Sequence, residues 1–255
     1  MKKLITILGA ATLALLTTSC LEQHVTLSIN KDGSGIITET RYFGDEVVAK
    51  MARAEAQGKD PLDELIGQLK QRLTAMAPTM GEGVSLTEVR QLKEDGKIGM
   101  VSVFEFKDIN KLKYNPAQSL GNGPAMAPKA PLDIRYEDGV LTINNKHEKP
   151  VKDKQGDNEK INEQDLKVIK EMMTDLRISL TLEFPGGIAE TNAKHLDGNR
   201  FTMMDVNLGE LAKQEDNLIE FIAAKPASMA AAMAMLKDLE GTKFQVAEKI
   251  TVTLK

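Results

Sequence analysis

One pair of residues, used four times, constrains the fold more than anything else in this chain. Asp32-Gly33, Asp95-Gly96, Asp138-Gly139 and Asp197-Gly198 each lie between short runs rich in β-branched and aromatic residues. Asp-Gly between such runs is a strong hairpin-turn signal, with the glycine available for positive φ. Before the first pair, Val25, Leu27 and Ile29 alternate with His24, Thr26, Ser28 and Asn30, the period of a strand with one buried face. Residues 36–43 return from it. The second pair joins 84–93 to 98–107, where Met100 to Phe106 is almost continuously apolar and predicts a central strand. The third joins 132–136 to 140–143. The fourth lies between a short strand at 189–193 and one at 201–206. Ile178, Leu180, Leu182 and Phe184 predict a further strand, stopped by Pro185-Gly186-Gly187, and 218–222 and 246–254 read as strands too.

Between the hairpins the period changes from 2 to 3.6. Asp60 predicts an N-cap with Pro61 at the first helical position, where a missing N–H costs nothing. Leu62, Leu65, Ile66, Leu69, Leu73 and Met76 then fall on one stripe. Helices are also expected over 45–56, over 163–176 with Leu166, Ile169, Met172 and Met173 inward, at 208–213, and around Met229, Met233, Leu236 and Leu239. Hairpins interrupted by helices, rather than alternating with them, give the class: α+β, a curved antiparallel sheet of hairpins packed against amphipathic helices. Residues 108–131, with four prolines, and the mixed-charge stretch 146–164 read as flexible loops within one domain over 20–255.

The N-terminus carries a different signal. Lys2 and Lys3 precede an apolar run from Leu4 to Leu16, followed by Thr17, Thr18 and Ser19. That order is a secretory signal over 1–19, too short for a bilayer span of roughly 20 residues. Cys20, the one cysteine of the chain, follows at once and is expected to precede the first folded element. Small residues and then Cys after an aliphatic run resemble the lipobox of bacterial lipoproteins. The resemblance implies cleavage before Cys20, acylation of its thiol and its new amino terminus, and attachment to the cell envelope membrane. Leu21 rather than Asp after the cysteine implies the periplasmic face of the outer membrane in a Gram-negative host. More than one acyl chain makes such an anchor stable.

Loss of residues 1–19 takes two lysines and no acid, so the formal net charge moves from −4 to −6. Such a surface repels phosphate backbones, and nucleic acid is not an expected partner. Lack of Trp argues against stacked sugars. His24, His147 and His195 have no second candidate ligand at metal spacing. No nucleophile elbow or phosphate-cradling glycine loop occurs. Catalysis, a metal and a cofactor are therefore not expected. Methionine is the unusual residue, with 13 in the chain. In the segment SMAAAMAMLKDL it reads as core packing, as an adaptable apolar surface, or as a soft-metal thioether site.

The stretch ISLTLEFPGGIAETNAKHLDGNRFTMMDVNL is similar to the C-terminal motif of LppM-like bacterial lipoprotein domains: a strand, Phe-Pro-Gly, a short strand reaching Asn192, Asp197-Gly198-Asn199, and another strand. The start, Cys20 followed by a strand and NKDGSG, is similar as well. The resemblance implies an α+β domain with a curved sheet, suggests lipid binding, and implies no catalytic residue. The expected function is thus a membrane-anchored, non-catalytic exported lipoprotein that binds a lipid or other apolar ligand, with Leu65, Leu69 and Leu73 as one wall of the site, facing Met229 and Met233 of the Met-rich helix. The alternative is a structural or protein-interaction lipoprotein without a small ligand.

Overall fold

A computed structural model describes residues 20–58, 60–115, 132–144, 176–224, 241–245 and 247–255, with positions 164, 166, 167, 170, 173, 235 and 236 between them. The expected signal segment and the stretch 146–163 lie outside these residues. The first strand, β1 (Cys20–Ile29), turns into β2 (Gly35–Phe43). Helices α1 (Asp45–Glu55) and α2 (Pro61–Met76) follow, then a 3-10 turn, Ala77–Met80. The next hairpins are β3 (Ser85–Glu94) with β4 (Lys97–Phe106), and β5 (Asp133–Glu137) with β6 (Val140–Asn144). The C-terminal region comprises β7 (Arg177–Glu183), β8 (Ile188–Thr191), β9 (Leu196–Asp197) and β10 (Arg200–Asn207). Helices α3 (Leu208–Lys213) and α4 (Glu215–Ala224) and strands β11 (Lys243–Phe244) and β12 (Lys249–Leu254) complete it.

The strands form two sheets. The larger runs β11-β10-β7-β1-β2-β4-β3, with β9 on β10, and the smaller runs β5-β6-β12-β8. The α+β class holds, with two differences from the single antiparallel sheet expected. There is a second sheet, and β1 pairs with β7 in parallel, from Glu22 opposite Arg177 to Ser28 opposite Glu183. Parallel pairing needs a long connection, and everything from β2 to β6 supplies it.

Two of the four Asp-Gly turns have left-handed backbone at both residues, while at Asp32-Gly33 and Asp197-Gly198 only the glycine does. Asp95 and Gly96 have φ of 48° and 77°, and Asp138 and Gly139 of 50° and 79°. Positive φ at both central residues is the turn whose twist matches the strands it joins. Asp60 caps α2 by accepting from the Asp63 amide at 3.0 Å. Leu62, Leu65, Leu69 and Leu73 are its buried residues, and α2 packs on β3. Gly35 answers to crowding instead: a Cβ there would lie 2.1 Å from the Ser28 carbonyl and 2.5 Å from the Phe106 ring.

One main core fills the space between a face of the large sheet, α1 and α2, and the small sheet; Leu27, Ile37, Phe104, Leu182, Phe201, Leu141 and Val252 are fully enclosed in it. A second core gathers Val206, Leu208, Leu211, Leu218, Phe221, Leu236 and Phe244.

Four expectations need correction. Residues 218–222 are not a strand but lie within α4. The last strand begins at Lys249 rather than 246. The described start of the expected loop at 108–131 is built into the core, with a 3-10 turn at Ile109–Lys111 and Ile109, Tyr114 and Asn115 buried. Cys20 does not precede the folded body: its backbone opens β1, opposite Phe43.

Candidate functional site

The residues expected to line a site divide between places. Leu65, Leu69 and Leu73 are 6%, 8% and 2% exposed and belong to the main core. Met229 and Met233 lie outside the described residues. The described end of their segment, Met235 and Leu236, packs with the second core instead.

Beneath the α1–α2 layer the sheet is not purely apolar. On β2 the inward positions are Ile37, Glu39, Arg41 and Phe43, so two charged residues sit on the buried face. The Glu39 carboxylate is 1% exposed. It accepts from an Arg41 guanidinium nitrogen at 2.6 Å and from the Tyr114 hydroxyl at 2.7 Å. Gln23 stands opposite Arg41 on β1, and Met100 stands opposite it on β4. Gln91 on β3 is in turn opposite Met100. Gln23, Arg41, Met100 and Gln91 therefore share one row and one face, with Arg41 and Gln91 two strands, about 10 Å, apart. The Arg41 Nε and the Gln91 Nε2 are buried with no partner among the described residues. A buried donor without an acceptor costs about 1–3 kcal/mol, so both favour an incoming oxygen. The parity of Glu39 and Arg41 with Ile37 was the sequence signal for this cluster.

The opposite face of the sheet is polar. His24 contacts Ser179 Oγ through Nδ1 at 2.7 Å and Glu22 through Nε2 at 3.3 Å. Lys97 reaches Glu22 and lies 5.4 Å from the Tyr42 ring centroid, while the Tyr42 hydroxyl donates to Glu94. Partial burial works to raise the Glu22 pKa, but Lys97 and His24 outweigh it and hold the carboxyl below its ordinary value. The Asp205 carboxylate, bidentate on Arg177 at 2.9 and 2.8 Å, raises that guanidinium's pKa. Further along this face a cleft of about 340 Å³ is lined by Thr26, Thr181, Thr202, Glu183, His195 and Lys243 among others.

The polar residues of the C-terminal motif are spent on the fold. Asn192 donates to the Lys249 carbonyl at 3.0 Å and accepts from the Thr251 amide at 2.8 Å, pinning β8 to β12. Asn199 donates to the Phe184 carbonyl at 3.1 Å, and Asp197 pairs with Arg200 at 2.8 Å. Among the described residues no group of three or more His, Cys, Asp or Glu could hold a metal, and no helix is long and apolar enough to cross a membrane.

No family model matches the chain, and no curated protein matches it. Among solved structures, it is similar to the folded domain of LppM from Mycobacterium tuberculosis, at 12% identity and a TM-score of 0.36, over 75% of this chain and 85% of that one. It is also similar to an M1 zinc metallopeptidase from Deinococcus radiodurans, at 8% identity and a TM-score of 0.25, over 75% of this chain but only 40% of the enzyme. Scores this low carry neither family nor function to this chain.

Proposed function

We propose that this chain is an exported, non-catalytic lipoprotein, acylated at Cys20, that binds an amphiphile between the large sheet and the α1–α2 layer. The observation that carries the binding role is the inner sheet face under α2. There, the unpartnered donors Arg41 Nε and Gln91 Nε2 flank Met100 in one row of the sheet, and Met100 belongs to the same core as Leu65, Leu69 and Leu73. Apolar walls with a few fixed donors suit an apolar chain that ends in an acceptor oxygen, such as an ester or carboxyl group. The Tyr114 hydroxyl on this face is buried and spent on the Glu39 carboxylate, which Arg41 also holds, so the arrangement favours binding over turnover. The deciding test is native mass spectrometry of the mature domain incubated with lipids extracted from a bacterial envelope. Wild-type protein should retain a lipid, and Gln91→Leu, which removes one donor at nearly constant volume, should retain markedly less while unfolding no earlier. Failure of the wild type to retain any lipid, or equal retention by the variant, refutes the reading.

A further inference from the structure

The backbone of Cys20 is part of β1 and pairs with Phe43, so no spacer separates it from the large sheet. Given the acylation of Cys20 proposed above, we infer that the domain stands on the bilayer with the Cys20 end of the large sheet down. Tyr42 and the β3–β4 turn then sit in the headgroup layer, and the small sheet lies on the far side. A thioether on Cys20 puts glycerol and acyl chains within a few bonds of a strand that pairs with β2 from Cys20 and with β7 from Glu22, and the sheet cannot drift from the membrane as a tethered domain could.

The register fixes what meets the lipid. Tyr42 is opposite Gly99, and Glu94 is opposite Lys97. The tip at Asp95-Gly96 therefore projects beyond the level of Cys20 by two residues, about 7 Å at strand rise. Its chemistry suits an interface. Tyr42 keeps its hydroxyl on Glu94 and its ring beside the half-exposed Lys97. A ring with a wet polar tip and a lysine with an apolar stem are side chains that settle at the headgroup level. Glu22, Glu94 and Asp95 balance Lys93 and Lys97 to within one charge, so this rim fits zwitterionic headgroups and needs no anionic lipid. At the other end of β1, nine residues or about 30 Å away, the Tyr136 hydroxyl bonds the Lys31 carbonyl and the Ile109 amide bonds the Gly33 carbonyl at 2.9 Å. The small sheet is attached at that end.

The test uses the full-length acylated protein in phosphatidylcholine vesicles. With Cys20 blocked by lipid, Lys93→Cys and Lys31→Cys each offer one thiol for an environment-sensitive fluorophore. Neither lysine is buried, and both variants lose the same charge. A headgroup-level spin-labelled lipid should quench the probe at 93 several-fold more than the probe at 31. A ten-residue Gly/Ser spacer after Cys20 should abolish that contrast while leaving vesicle flotation intact. Equal quenching at both positions in protein that floats overturns this orientation and leaves the acylation standing. Protein that neither floats nor carries fatty acid overturns the acylation and this inference with it.

Discussion

Replacing Arg41 with Met should be one of the costlier single changes available in this protein, and its double mutant should be cheaper. Glu39 lies on the core side of β2, 1% exposed, and its charge is answered by two donors, Arg41 and Tyr114. Arg41→Met keeps the length and apolar bulk of the stem but leaves a buried carboxylate with one hydroxyl partner. Breaking a buried pair from one side costs about 3–5 kcal/mol, because an uncompensated charge remains. The Arg41 side chain keeps 11% exposure, which lets some water reach the site and puts the expectation at the lower end, about 3 kcal/mol. Glu39→Leu in the same chain removes the stranded charge, so the double variant should recover most of that loss. Urea unfolding of the mature domain reads all three proteins, with the shift in midpoint multiplied by a common slope giving the difference. A single-variant cost below about 1 kcal/mol, or a double variant at least as unstable as the single one, would be incompatible with a charged Glu39 held by Arg41.

Three further outcomes follow from the packing and the charges. Leu73→Ala should cost about 2–5 kcal/mol by urea unfolding, whereas Leu196→Ala, at 51% exposure, should cost almost nothing. Gly35→Ala should destabilise despite its ordinary φ, because its methyl would overlap the Ser28 carbonyl and the Phe106 ring; a variant as stable as wild type in thermal unfolding would contradict that packing. Glu22 has a pKa held below its unfolded value, so it contributes stability that is present above the unfolded pKa and is lost as pH falls through the folded one. Glu22→Gln should therefore lower the melting temperature modestly at pH 7, by an amount that shrinks toward pH 3; a deficit that grows on acidification would contradict the assignment.

How legible the fold was depends on how local its causes are. The Asp95-Gly96 and Asp138-Gly139 turns could be read directly, because each is a two-residue conformational requirement met by two residue types. Helix α2 could be read because its cap, its proline and its leucine stripe agree. The run Leu218 to Ile222 could not: five mostly apolar residues fit a strand or a buried helix alike, and the acidic pair Glu215 and Asp216, favourable in a first helical turn, was the overlooked cue. The parallel pairing of β1 with β7 was invisible, since alternation gives a strand its faces but never its neighbour. Glu39 and Arg41 were visible by parity with Ile37, but charges on a buried face run against the pattern that identifies the strand. Arg41 and Gln91 share a row only because β2, β4 and β3 are neighbours in that order.

The proposed anchoring requires that Cys20 become the lipid-bearing N-terminus, and intact-mass analysis of the protein purified from membranes of a bacterial host reads that out. The expected chain begins at Cys20 with residues 1–19 removed and is heavier than its polypeptide by a diacylglyceryl group or more. Cys20→Ser should give a protein without that added mass, found in the soluble fraction. An unmodified Cys20 thiol in the wild type, or a Cys20→Ser protein still held in the membrane fraction, would contradict it.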